Sequence, residues 1–191
     1  MKKFFSVFLT LTMGYFPAAQ PFAQEQVLSE DALIKEAKSR IQHFSVALKK
    51  KLQEAIANGG LKSGVKVCHQ QAPVIAKTFS TDGWTVARTS LRTRNATNAA
   101  SDWERQTLLE FTQKRQQGST VNTLIKTTTD KVQFRYMQAI PTAGLCLACY
   151  GANIAVDVKQ AIKNNYPNDT AVDFNVGDIR GAFSLTFERT K

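Results

Sequence analysis

Cys146 and Cys149 stand two residues apart in the stretch GLCLACYGANIA, residues 144 to 155, and Tyr150 follows at once. Two thiols on such a turn can add across the two vinyl groups of one porphyrin, and the signature then normally continues with a histidine that faces the iron. Here a phenol takes that place. The same pair can close a disulfide outside the cytoplasm. It can also carry thiol–disulfide exchange at a helix start, where the dipole lowers a thiol pKa. Leu145 fills the position before the motif where such exchangers commonly carry an aromatic residue. A zinc centre would need a second CxxC, and the two histidines are scattered. Local spacing leaves the haem, disulfide and exchange readings open.

The chain has 3 cysteines, so Cys68 is left over once the pair is set aside. That matters because the first residues read as an export signal. Lys2 and Lys3 precede the apolar run FFSVFLTLTMGYF, which is too short to span a bilayer and is followed by small residues. Cutting after Ala23 is expected to leave one soluble, periplasmic or secreted domain with no integral span. The two lost lysines reduce 25 basic residues to 23, against 15 acidic ones. For an exported chain this excess points to an anionic ligand, an acidic partner or a lipid surface rather than nucleic acid.

The elements that must position the thiols can be read from periodicity. Ile34, Ala37, Ile41, Phe44, Leu48, Leu52 and Ala55 recur at threes and fours, a long N-terminal helix that Gly59-Gly60 should stop. A second helical segment runs from about Leu61 to Phe79. Pro73 within it should put Cys68 and His69 beside a bend. GWTVARTSLRTRN reads as a strand, SDWE as a capping box opening a helix that ends at Gly118, and the turn at Asp130 as the centre of a hairpin. In the hairpin Val132, Phe134, Tyr136 and Ile140 should share one face. A short helix holds Ile154, Val158, Ala161 and Ile162, and GDIRGAFSLTFER forms a final strand. The pattern is α+β, an antiparallel sheet flanked by helices. Residues 24–60 form the N-terminal helix, and 61–191 the remainder of the same globular unit.

VCHQQAPVIA, RTSLRTRNATNAASDWE, CLACYG and GDIRGAFSLTF occur in that order. Together they resemble a bacterial family of exported c-type haem proteins with a PAS-like domain, found alone or as the sensing part of signalling proteins. The resemblance covers nearly all of the mature chain. It implies haem c joined to Cys146 and Cys149, with Cys68 as an axial ligand from the far side. The family's arginine run falls on Arg88, Ser90, Arg94 and Asn95, and its G-D-x-R-G-A run on Gly177, Asp178, Arg180, Gly181 and Ala182. Tyr150 stands where the family has its axial histidine.

A tyrosine ligates iron well only as phenolate, so ferric iron or a neighbouring arginine would have to favour that form. Tyr150 could instead be a wall, leaving iron to Cys68 or His69; His69 otherwise reads as a solvent-facing residue. Arg88, Arg92 and Arg94 alternate as one strand face would, either to meet haem propionates or another carboxylate or to guard a sheet edge with charge. Asp178 and Arg180 read as a structural ion pair. No nucleophile–base pair, phosphate loop or paired-carboxylate motif stands out. The expected function is haem-based redox or ligand sensing, or electron transfer, with a redox or signalling protein as partner. The competing expectations are a haem-free module for a small anion with a Cys146–Cys149 disulfide, and a thiol–disulfide oxidoreductase. The haem reading requires the Cys68 helix to face the paired thiols.

Overall fold

A computed structural model describes residues 28–189. The expected export signal lies outside the described residues. Helix α1 spans Glu30–Thr78, capped by the Ser29 hydroxyl, which accepts from the Ala32 amide, with Glu30 and Asp31 in its positive first turn. Gly59 and Gly60 leave helical geometry, Gly60 at φ 69°. Only glycine takes that conformation without strain. The break divides α1 into two arms that fold back on each other. Arg40 on the first arm donates to the Phe79 carbonyl at the end of the second (2.7 Å). Near the break, a Cβ on Gly64 would already lie 3.0 Å from Leu52 and Ile56. Pro73 lies within the second arm without ending it, since the only non-helical residues within α1 are the two glycines. Cys68 therefore sits on an uninterrupted helix.

Among the described residues four strands follow: β1 (Trp84–Thr89), β2 (Ile125–Thr129), β3 (Gln133–Pro141) and β4 (Ile179–Glu188). They form one antiparallel sheet in the order β1-β4-β3-β2. The hairpin between β2 and β3 turns on Asp130, whose carboxylate accepts from the Val132 and Gln133 amides (2.7 and 2.8 Å). Val132 belongs to that turn and is 61% exposed, so it does not join Phe134 and Tyr136 on the inner face as its spacing suggests.

Helices cover both faces of the sheet. Trp84, Val86, Phe134, Tyr136 and Leu185 meet Leu33, Ile41, Phe44 and Ile75 of α1. On the other face Met137, Ala139 and Ala182 meet Leu108 and Phe111 of α2 (Asp102–Gln116). Each of the larger fully buried side chains, Phe44 and Tyr136 among them, contributes roughly 1.5–3 kcal/mol by leaving water. The expected capping box opens α2, with Glu104 accepting from the Ser101 amide (2.8 Å). A third cluster joins Val65 on the second arm to Ile154, Val158, Ile162 and Tyr166 in and around a short C-terminal helix, Val156–Asn165. This architecture is the expected mixed α+β fold. The two arms of α1 correspond to the two helical segments expected on either side of the Gly59-Gly60 stop. Among the described residues no helix is long and apolar enough to cross a membrane.

Candidate functional site

The paired cysteines lie on a compact helical turn. A 3-10 turn at Gly144–Cys146 runs into a single α-turn, α3 (Leu147–Tyr150). Cys146, Cys149 and Tyr150 are related as i, i+3 and i+4, which puts all three on one side of the turn. Gly151 ends it by bonding back to the Leu147 carbonyl (2.9 Å), where any Cβ would collide with that oxygen.

On the second arm of α1, Leu61, Val65 and Cys68 recur at i, i+4 and i+7. They and the α3 turn face one cavity of about 180 Å³. Leu48, Leu52 and Ile56 of the first arm continue the apolar wall. The N-terminal stripe thus serves two purposes, packing on the sheet up to Phe44 and lining the cavity beyond it.

All three cysteines are free and partly buried. Burial pushes the Cys68 thiol up, against the opposing pull of Arg88, Arg180 and Arg94. Burial also raises Cys149, with Arg94 opposing and the neighbouring Cys68 and Cys146 adding to the rise. Neither of these two has the lowered pKa of an activated exchange cysteine. Tyr166 lines the same cavity, and burial raises its hydroxyl as well.

The arginines gather here for a different reason than strand alternation. β1 ends at Thr89, so Arg88 is on the strand while Arg92 and Arg94 lie in the loop beyond it. All three nevertheless line the cavity. Arg94 grips Asp169 with two prongs, both 3.2 Å, and donates to the carbonyls of Cys149 (2.6 Å) and Ala171 (3.1 Å). Its guanidinium also lies 3.9 Å over the Tyr150 ring. Arg92 donates to the Val172 carbonyl (2.7 Å) and stacks on Phe174 at 3.8 Å. These two hold loops together.

Arg180 corrects the sequence reading in another way. It makes no ion pair with Asp178, whose carboxylate instead accepts from the Asn175 amide (2.7 Å). Arg180 lines the cavity and lies 5.2 Å over the Tyr150 ring. His69 is exposed, edge-on to Tyr166 at 4.9 Å and outside the cavity lining.

Sequence reasoning misses three contributors: Arg180 as a cavity residue, the wall from the first helical arm, and Asp169 as the partner of Arg94. The stripe at Leu48 and Leu52 is visible, but its second use needs the fold-back. Nothing local marks Asp169, which lies 75 residues from Arg94.

Among curated proteins no match is found. Among solved structures, the crystal structure of the cyanobacterial heme-protein Tll0287 is similar, with a TM-score of 0.57 and 25% identity. The match covers 86% of this chain and 99% of that one. Residues 19–187 match the Tll0287-like family, which spans the whole cavity and every element around it, and the chain belongs to that family.

Proposed function

We propose that this protein is a haem protein of PAS-like type, carrying haem c on Cys146 and Cys149 and acting outside the cytoplasm in redox or ligand sensing or in electron transfer. The observation that carries the reading is convergence: the CxxC turn, Tyr150 and the solitary Cys68 line one apolar-walled cavity from two different elements. Similarity to a cyanobacterial heme-protein supports the same cofactor.

The residues present suit that group. Cys146 and Cys149 share one side of a turn, as two thioether links need. Cys68 would supply a sulfur ligand from α1, and Tyr150 a phenol from α3. Leu48, Leu52, Ile56 and Val65 would keep water from an apolar macrocycle, and the arginines would offset negative charge. Bound haem would supply one-electron chemistry and a place for a small ligand at iron. Cys68 and Tyr150 as anionic ligands would favour the ferric state and lower the potential.

The test is intact mass and visible spectrum after export alongside a haem c maturation system, for wild type and Tyr150→His. The expected wild-type product is pigmented, heavier by one haem, and keeps its colour through acid-acetone extraction. Tyr150→His should raise the midpoint potential and shift the Soret band. Colourless wild type beside a pigmented variant would mean that this chain has lost the cofactor, and colourless protein in both would remove the reading altogether.

A further inference from the structure

Four arginines line the cavity, and they divide by partner. Arg92 and Arg94 are committed to the carbonyls and the carboxylate described above. Arg88 and Arg180 are not. Among the described residues neither takes part in an ion pair, where the pairs use Arg40, Lys62, Arg94 and Lys126. Arg88 has only the face of Phe44 at 5.3 Å. Arg180 has the face of Tyr150, and its Nε is buried with no hydrogen-bond partner. A buried donor left without an acceptor is costly, and a buried charge more so.

The two groups also disfavour each other. Burial draws the Arg88 pKa down, and the nearby Arg180 charge draws it down further, while Tyr150 and Cys68 oppose both. Asp169, which could have answered one of them, is taken by Arg94. Two like charges are thus held together with no anion from the described chain to relieve them.

The backbone fixes this arrangement. Arg88 lies on β1 and Arg180 on β4, adjacent strands in register at Arg88–Phe183 and Thr89–Ala182. Gly181 has φ 156°, and a Cβ there would come within 2.5 Å of the Thr89 carbonyl oxygen. The strands are therefore pressed together beside the two guanidiniums. The Ser90 hydroxyl, which donates to the Arg180 carbonyl (2.8 Å), ties the end of β1 to the same point.

We propose that Arg88 and Arg180 form a carboxylate clamp, the element of the cavity that selects a ligand bearing anionic groups on one edge. Planar guanidinium forks suit carboxylates, and the strand pairing holds both in place before a ligand arrives. The proposal rests on the haem reading as far as the ligand's identity goes, the carboxylates then being the porphyrin propionates. A free dicarboxylate carries the same chemistry.

The experiment separates these sources with three probes on the full chain. Iron mesoporphyrin IX has ethyl groups that cannot form thioethers, its dimethyl ester lacks the charges, and succinate lacks the ring. Porphyrin binding is read from the Soret band and succinate binding by calorimetry. Wild type should bind the diacid about tenfold or more tightly than the diester, in line with charge-assisted hydrogen bonds. Arg88→Gln and Arg180→Gln should each remove most of that preference, read as the ratio of diacid to diester affinity. Arg180→Lys should keep part of it, and the exposed Arg105→Gln all of it. Circular dichroism on each variant distinguishes lost recognition from lost folding. Succinate binding that needs both arginines, without porphyrin binding, would uphold the clamp and remove the haem reading. Equal affinity for diacid and diester would overturn the clamp and leave the haem reading standing. Binding of none of the probes would overturn both.

Discussion

Arg94 and Asp169 form a two-pronged ion pair, Nε to Oδ1 and Nη2 to Oδ2 at 3.2 Å each, with side chains 8% and 9% exposed. A third contact makes the pair more than a local staple. The same Nη2 donates to the Cys149 carbonyl, so one guanidinium joins the CxxC turn to the loop that follows the Val156–Asn165 helix. Removing one member leaves the other as a buried charge. Asp169→Ala should cost roughly 3–5 kcal/mol in urea unfolding, and the loosened turn should lower haem loading. An unchanged unfolding midpoint would show that water reaches Arg94 freely.

Gly181 offers a sharper steric test. An added Cβ would meet the Thr89 backbone oxygen, not a side chain that can swing away, and φ 156° is strained for any other residue. Gly181→Ala should lose on the order of 1–3 kcal/mol, read as a lower Tm. A neutral result would mean that β1 and β4 can part at this end.

Stability should fall in alkali because of Tyr136. Burial pushes its hydroxyl up to about 12, while the unfolded chain releases that proton near pH 10. The folded pKa is the higher one, so this contribution is complete below the unfolded value and is lost as pH rises through the folded one. Tyr166 acts in the same direction. Urea midpoints measured from pH 9 upward should decline, and less steeply in Tyr136→Phe. That variant also loses the hydrogen bond to Gln138, so it should start about 1 kcal/mol lower. Parallel curves would rule out Tyr136 as the source.

The thiols should respond to pH in a recognisable order. Burial keeps Cys68 and Cys149 protonated beyond the ordinary thiol range. In haem-free folded protein, iodoacetamide labelling of these two, followed by peptide mass, should stay slow at neutral pH and rise only in alkali. Rapid labelling of Cys68 at pH 7 would mean that Arg88, Arg180 and Arg94 outweigh its desolvation. Urea should abolish the difference between folded and free thiols.

Much of this fold can be read directly. The Gly59-Gly60 stop, the Ser101–Glu104 box and the Asp130 turn are local devices, in which a side chain meets a backbone group or a glycine frees the chain within a few residues. They appear where the sequence puts them. One local reading fails because a turn intervenes. Alternation puts Val132 on the inner face, yet the turn carries it into solvent.

The site is legible in part. Cys146, Cys149, Tyr150, Cys68, Arg88, Arg92 and Arg94 all line the cavity. The alternation that marks the three arginines stops after Arg88, so their meeting is a property of the loop and not of a strand. Spacing pairs Arg180 with Asp178 because they stand two apart, whereas Asp178 turns to its own loop.

Sequence alone determined the elements, the thiol spacing and the absence of a histidine after Cys149, because each depends on neighbours along the chain. The tertiary structure decided that α1 doubles back so that Cys68 meets the paired thiols. It also decided which guanidiniums are consumed and which are left free. Those outcomes depend on competition for a few buried acceptors. Asp169 and the Cys149 carbonyl are taken by Arg94 across 75 and 55 residues of sequence, and no local pattern records which donor wins.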